Sequence, residues 1–253
     1  DQRLSRGLGD VYKRQKIPYE TSINVIAPDG AYIILDDLIT SAGEDDILDF
    51  GETASFHVEI ENVGQEASGD LLINLSHDGT MISVLTDDLT HTSVDPGELA
   101  TVGPFDVEVG WNIDDGSVAP IIVTVSGENQ QWEHEMSVLI EAPSFLILNS
   151  DLVDNGNGTL DPGESISMEI TLLNTGNSPV SYHTFEATTS DPHLVIDSVL
   201  SDNAYWFDVG DEVNITIELS ATNDAPVGSS SMLSMNIGSL HTSYSHSVPV
   251  PII

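Results

Sequence analysis

The chain carries one sequence pattern twice. Residues 160–176 repeat residues 48–64 at a constant distance of 112 positions. Identical residues mark the pairing: Leu48, Asp49, Gly51, Glu52, Asn62 and Gly64 are matched by Leu160, Asp161, Gly163, Glu164, Asn174 and Gly176. A spacing of this size is about the length of one β-sandwich domain. The sequence therefore predicts two copies of one module.

Alternating apolar and polar residues recur along the chain, as β-strands require. The clearest examples are residues 55–60, 70–75, 121–125, 136–140, 167–172, 213–219 and 247–250. Gly- and Pro-containing turn pairs separate these stretches. We therefore predict an all-β fold of two tandem immunoglobulin-like β-sandwich domains over residues 30–143 and 144–253. A junction this short predicts a stiff connection.

Charge excludes several partners. The chain has 42 acidic residues against 5 basic ones, a net charge of −37, and every basic residue lies within the first sixteen positions. Such a surface repels nucleic acid and anionic lipid, and no apolar run reaches the roughly 18–20 residues that cross a bilayer. We expect neither nucleic-acid binding nor membrane insertion. The acidity indicates either adaptation to salty water or ligands for divalent cations at a few sites.

The N-terminus has a different composition. Residues 5–15 read SRGLGDVYKRQ, which resembles a translated sequencing adapter, although a natural basic linker is the alternative. We treat residues 1–15 as foreign to the fold, which makes the chain a metagenomic fragment in our interpretation. Residues 16–29 are predicted to be the tail of a preceding domain or a linker.

Several motifs of the second copy together resemble a known class of module. They are residues 154–164 (DNGNGTLDPGE), Asn174-Thr-Gly176, residues 190–194 (SDPHL) and residues 225–228 (APVG). They are similar to CARDB-like, immunoglobulin-like domains that follow the catalytic domains of secreted bacterial gingipain-type cysteine peptidases and subtilisin-like peptidases. The resemblance implies an accessory, adhesive or spacer role at or outside the cell surface. It also implies that a catalytic or adhesive partner domain lies elsewhere on the same polypeptide.

Acidic loops are the strongest candidate for chemistry. Oxygen ligands on a Gly-rich loop suit Ca²⁺. In the second copy the candidate ligands are Asp151, Asp154, Asn155, Asn157, Asp161 and Glu164. In the first copy they are Asp37, Glu44, Asp45, Asp49 and Glu52. The alternative is a tight turn, because Asp-Pro-Gly-Glu is favourable turn chemistry on its own.

Other sites are weakly indicated. The eight histidines show no zinc-protease spacing, and the chain has no cysteine and no Gly-x-Ser-x-Gly motif. Core packing is the favoured explanation of the aromatic residues, and a platform for sugars is the alternative: Trp111, Trp132, Tyr205, Trp206 and Tyr244.

These patterns predict a protein that is not an enzyme. We expect a spacer or presentation segment of a larger secreted or surface-attached bacterial protein, with Ca²⁺ as its cofactor if the acidic loops bind metal. The alternative is an adhesive module that binds a glycan or a cell-surface protein.

Overall fold

The computed structural model describes residues 29–43, 45–77, 79–153, 159–181, 183–202, 206–238 and 243–253. Within these ranges all regular secondary structure is β, so the all-β prediction is confirmed. The strands are β1 (Ile33–Ser41), β2 (Leu48–Asp49), β3 (Thr53–Asn62), β4 (Leu71–Ser76), β5 (Ile82–Val84), β6 (Asp88–His91), β7 (Leu99–Val109), β8 (Ser117–Ser126), β9 (Gln131–Glu141), β10 (Phe145–Val153), β11 (Ser165–Asn174), β12 (Val180–Ser181), β13 (Thr184–Thr189), β14 (Leu194–Ser201), β15 (Trp206–Phe207), β16 (Glu212–Ala221), β17 (Ser229–Gly238) and β18 (Ser243–Ile252).

The first nine strands form a sandwich of two sheets, which we call the first sandwich. One sheet has the order β1-β3-β7-β5, and the other has the order β2-β9-β8-β4-β6. All pairings are antiparallel except that β2 runs parallel to β9. Buried side chains from both sheets, among them Phe56, Phe105 and Ile121, meet in one core.

The remaining strands form a second sandwich of the same design. The sheet β10-β11-β16-β14 corresponds to the first sheet of the first sandwich, and β13-β17-β18 corresponds to β4-β8-β9. The strands β12 and β15 pair separately. A second core gathers around Phe207, Ile215 and Leu233. The two cores lie on either side of the link Ala142–Ser144, which joins β9 to β10.

Irregularities of the sheets repeat at the same distance as the sequence. The β1–β3 ladder shifts register between Leu35 and Asp37, and the β10–β11 ladder shifts between Ile147 and Asn149. The parallel pair Leu48–Ile140 has its counterpart in the bridge between Leu160 and Ile252. A bulge is a specific feature of a fold and not a random defect. These matches therefore extend the correspondence between the two copies beyond the sequence motif, from β1 to β18.

Alternation explains why these segments became strands. In β3 every second residue from Ala54 to Asn62 is buried, and β11 shows the same pattern from Ile166 to Asn174. Side chains on a strand point alternately to opposite faces, so one face reaches the core and the other reaches water. All seven sequence-predicted strand segments lie in or overlap described strands. In the described part of the chain no helix is long and apolar enough to span a bilayer.

Candidate functional site

The repeated acidic motif forms a tight turn in both copies. In the first sandwich the amide N of Glu52 donates to the Asp49 carbonyl at 3.2 Å, and the Glu52 carboxylate accepts from the Asp49 amide at 3.1 Å. In the second sandwich Glu164 makes the same two bonds with Asp161, at 3.0 and 2.9 Å. The motif therefore closes on itself, with the glutamate completing the turn.

The same turn recurs at the opposite end of each sandwich. Asp95 and Glu98 form it in the first sandwich, with bonds of 3.0 and 2.8 Å, and Asp208 and Asp211 form it in the second, with bonds of 3.1 and 3.3 Å. All four turns have glycine at the third position with φ between +70° and +81°, as a type II turn requires. The carboxylates of Glu52 and Glu164, both proposed as calcium ligands, thus have a structural role in their turns.

Trp111 adds a second reason for glycine at position 51. Its indole ring lies so close to Gly51 that a Cβ there would come within 2.2 Å of the ring. The ring also meets Phe50 edge-on, with centroids 5.9 Å apart. Trp111 therefore covers the turn, although its side chain is still 37% exposed.

The other proposed calcium ligands make local hydrogen bonds. The carboxylate of Asp37 accepts from the Leu38 amide at 2.8 Å, and that of Asp45 accepts from the Ile47 amide at 3.1 Å. Asp151 accepts from the side-chain amide of Asn149 at 2.6 Å. Among the described residues no three acidic or histidine side chains are grouped so that they could hold a metal ion. Glu44, Asp154, Asn155 and Asn157 lie outside the described residues, so calcium binding stays a prediction.

Carboxylates crowd the end of the first sandwich that faces the second sandwich. Burial raises the pKa of Glu52, and the neighbouring carboxylates of Asp49 and Asp45 add to the rise, while the Asp49 amide opposes it. Burial also raises the pKa of Glu141, with Asp49, Asp115 and Asp45 contributing in the same direction. The protonated form of both glutamates is therefore favoured relative to a carboxyl group in water.

Each sandwich contains a buried asparagine that makes four hydrogen bonds. Asn62 accepts from the amides of Tyr32 and Gly64 at 3.1 and 3.0 Å, and it donates to the carbonyls of Glu66 and Val94 at 2.8 and 2.9 Å. Its side chain is fully buried. It therefore ties together three segments that are distant in the sequence.

Asn174 makes the same four bonds in the second sandwich. It accepts from Ser144 and Gly176 at 3.3 and 3.1 Å, and donates to Ser178 and Phe207 at 3.0 and 3.2 Å. The glycine two residues later must lack a side chain, because a Cβ on Gly176 would lie 2.3 Å from the Ala142 carbonyl oxygen. Sequence reasoning noted the repeated Asn-x-Gly motif without assigning it this role.

The joint between the sandwiches is held by hydrogen bonds. The carboxylate of Asp115, from the first sandwich, accepts from the backbone amide of Asn177 at 3.3 Å and from its side-chain amide at 3.1 Å. It also accepts from the amide of Ala142 in the link at 3.0 Å. Beside it, the hydroxyl of Ser178 donates to the carboxylate of Asp49. Acidic residues of one sandwich therefore meet donors of the other.

A cleft of about 530 Å³ lies at this joint. One wall comes from residues 112–115 of the first sandwich, and the other comes from residues 143–145, Thr175 and residues 244–246. On the second side the ring of Tyr244 meets Phe145 edge-on at 4.9 Å. The cleft is thus a contact zone between the two sandwiches.

The aromatic candidates are divided between core and surface. Trp132 packs against the first core, and Tyr244 packs against the second. Trp206 is 49% exposed, and its indole N–H donates to the carboxylate of Asp208. Tyr205 lies outside the described residues. Trp206 is therefore the member of this set best placed to meet a ligand.

Residues 191–193 of the SDPHL motif tie a loop to the sheet. Asp191 accepts from the amide of His193 at 2.8 Å and from the hydroxyl of Ser231, and these bonds lower the pKa of Asp191. The imidazole of His193 lies 3.1 Å from the Thr222 hydroxyl and 3.7 Å from the Asp224 carboxylate. Through these bonds Asp191 ties the loop before β14 to Ser231 of β17.

No protein-family model matches the chain, and no curated protein matches it. Among solved structures, the C-terminal domain of the Streptococcus agalactiae AgI/II polypeptide BspA has 8% identity over 85% of this chain and 100% of its own, with a TM-score of 0.41. A fragment of Escherichia coli alpha-2-macroglobulin has 15% identity over 53% of this chain and 20% of its own, with a TM-score of 0.36. Titin domains I67–I69 have 10% identity over 88% and 66%, with a TM-score of 0.28. Likenesses this distant indicate nothing about function.

Proposed function

We propose that this chain is a non-catalytic, rigid spacer that holds a partner domain of the same polypeptide at a set distance and orientation. The observation that carries the proposal is the joint between the sandwiches. In this proposal the parent protein is secreted or surface-attached and bacterial, and a peptidase is the partner domain that the motif resemblance suggests.

The link is short and every residue of it is restrained. β9 ends at Glu141 and β10 begins at Phe145, so three residues connect the sandwiches. The carbonyl of Ala142 accepts from the amide of Asn177 at 3.1 Å, and the carbonyl of Ser144 accepts from the amide of Thr175 at 2.7 Å. Pro143, between them, has a fixed φ. A link held in this way supports one relative orientation of the sandwiches and not a range of orientations.

The surface charge suits the same role. No Lys or Arg follows Lys16, so the sandwiches carry acidic residues and no permanent cations. Like charges keep molecules apart and in solution. Such a surface favours a segment that separates other domains over one that binds acidic partners.

Spin-label distances test the rigidity directly. The chain has no cysteine, so labels can be placed at Glu128→Cys in the first sandwich and at Val227→Cys in the second. We expect a narrow distance distribution, and we expect Asp115→Ala to broaden it because the bonds to Asn177 and Ala142 are lost. Asp114→Ala, a change at the exposed neighbouring residue, is the matched control and leaves the distribution narrow. A broad distribution in the unaltered protein would contradict the proposal.

Trp206 supports a second candidate, an adhesive module that binds a glycan. An exposed indole held by Asp208 presents a flat apolar face, which is suited to stacking on a sugar ring. Glycan-array binding that is lost in Trp206→Ala and retained in Trp111→Ala would favour this candidate. Binding that neither substitution changes would remove Trp206 from consideration.

A further inference from the structure

The first sandwich has an open cleft at the end that faces away from the joint. Its volume is about 490 Å³, and it is lined by Asp29, residues 31–32 and residues 130–134. Tyr32 is 42% exposed there, and Trp132 is partly buried beside it. The lining belongs to the segment that leads into β1 and to the start of β9.

This cleft occupies the same place as the cleft at the joint. The shift of 112 positions, which the bulges and the Leu160–Ile252 bridge establish for β10 and β18, relates Tyr32 to Ser144 and His134 to His246. Residues 143–144 and 244–246, which line the joint cleft on its second side, are thus the equivalents of residues 31–32 and 132–134. In the second sandwich this surface faces residues 112–115 of the first sandwich across the joint cleft.

The loop that receives a neighbour is already formed in the first sandwich. The carbonyl of Gly30 accepts from the amides of Gln65 and Glu66 at 2.8 and 3.3 Å. The carbonyl of Ala142 accepts from the amides of Asn177 and Ser178 at 3.1 and 3.4 Å in the equivalent place. Gln65 and Glu66 therefore stand where Asn177 and Ser178 contact the preceding sandwich.

We propose that the cleft lined by Asp29, residues 31–32 and residues 130–134 is the docking surface for the end of another immunoglobulin-like sandwich on the N-terminal side of this one. The incoming sandwich inserts a loop equivalent to residues 112–115, as the first sandwich does into the second. The inference rests on the proposed spacer function and adds a specific surface and a specific partner to it.

Charge specifies the chemistry of that partner. At the joint the Ser178 hydroxyl donates to Asp49, but the equivalent of Ser178 here is Glu66, an acceptor. The incoming sandwich must therefore present a hydroxyl, an amide or a base at the position equivalent to Asp49. A second copy of this chain would present Asp161 there, and two carboxylates would repel each other. Self-association is for this reason a poorer fit than a distinct module.

A concatenated protein can test the surface. Ile253 is the equivalent of Glu141, and Gly30 is the equivalent of Ala142, so joining Ile253 of one copy of residues 30–253 directly to Gly30 of a second copy reproduces the natural link length. Asp161→Asn in the leading copy supplies the amide donor that Glu66 requires. Val227→Cys in the leading copy and Gln65→Cys in the following copy then stand at the positions of Asp115 and Asn177.

Cross-linking by a short bifunctional thiol reagent is the readout. The reference is the pair Asn112→Cys and Ser245→Cys in the single chain, two exposed residues on opposite walls of the joint cleft whose replacement leaves the Asp115 bonds intact. The control is Val227→Cys with Glu98→Cys, on another loop at the same end of the following copy. A docked junction should cross-link Val227→Cys to Gln65→Cys about tenfold faster than the control, because docking raises the effective concentration of the two thiols. With Asp161 unaltered the reaction should be slower.

The outcomes separate the two proposals. If the reference pair reacts fast but Val227→Cys and Gln65→Cys react no faster than the control, the docking surface is refuted and the spacer function is not. A slow reference pair means that the natural joint itself is not formed, which contradicts the spacer function. Equal rates with Asp161 and Asp161→Asn would overturn the assignment of a donor opposite Glu66.

Discussion

Replacing Asn62 by alanine should destabilise the first sandwich severely. The substitution removes four hydrogen bonds, of which those to Gly64 and Val94 are buried and those to Tyr32 and Glu66 are half-buried. A buried polar group left without a partner costs about 1–3 kcal/mol, and water can reach the half-buried groups at a lower cost. The sum is about 4 kcal/mol, a large part of the 5–15 kcal/mol that stabilises a typical domain.

Asn62→Asp separates hydrogen bonding from size. The aspartate side chain has the same shape and still accepts from Tyr32 and Gly64. However, it cannot donate to the carbonyls of Glu66 and Val94, and a carboxylate held against two carbonyl oxygens repels them. We therefore expect Asn62→Asp to destabilise the protein at neutral pH at least as much as Asn62→Ala does.

Urea unfolding at neutral pH, followed by tryptophan fluorescence, measures these effects. Trp111 and Trp132 report on the first sandwich, and Trp206 reports on the second. Asn174→Ala should produce a similar loss in the second sandwich, and Asn129→Ala, at an exposed loop position, should change the free energy of unfolding by less than about 0.5 kcal/mol. A loss below about 1 kcal/mol for Asn62→Ala would refute the argument that its four bonds hold the sandwich together.

Three further predictions concern the joint and the acidic turns. Gly176→Ala should lower the unfolding midpoint because its Cβ would lie 2.3 Å from the Ala142 oxygen. Gly127→Ala, where a Cβ would make ordinary 3.7 Å contacts, should leave the midpoint unchanged. Equal midpoints for the two variants would contradict the close approach at Gly176. Glu52→Gln should stabilise the protein at pH 7 and have little effect below about pH 4, because ionising a carboxyl group whose pKa is raised by folding lowers the free energy of unfolding. Glu98→Gln, in the matching turn, is the control. A pH-independent effect of Glu52→Gln would contradict the raised pKa of Glu52. If Ca²⁺ binds the acidic loops, it should raise the midpoint more than Mg²⁺ at equal ionic strength, and Asp161→Asn should abolish the difference; equal shifts would indicate screening alone.

Much of the fold was predictable because the signals are local. The alternation from Ala54 to Asn62 sets which face of β3 is buried, and the same alternation recurs in β11. The glycine of each Asp-x-Gly-Glu motif predicts a turn, and the structure places it at the position that needs a positive φ. Repetition of both signals at 112 positions was enough to predict two sandwiches.

The contacts that matter for function were not predictable, because they join distant residues. Asn62 bonds to Val94, which is 32 residues away, and Asp115 bonds to Asn177, which is 62 residues away. Nothing in the sequence near Asp115 distinguishes it from Asp114, yet Asp115 holds the link. The raised pKa of Glu52 likewise depends first on burial, which appears only when the sheets are assembled.

Backbone ¹⁵N relaxation of the whole chain tests the central claim most directly, since it reports whether the two sandwiches tumble together. If the hydrogen bonds of Asp115 and Ser178 hold the joint, amides of β3 and β11 fit one rotational diffusion tensor. Asp115→Ala should then reduce the apparent correlation times of both sandwiches. Separate and shorter correlation times in the unaltered protein would show a flexible joint and contradict the account.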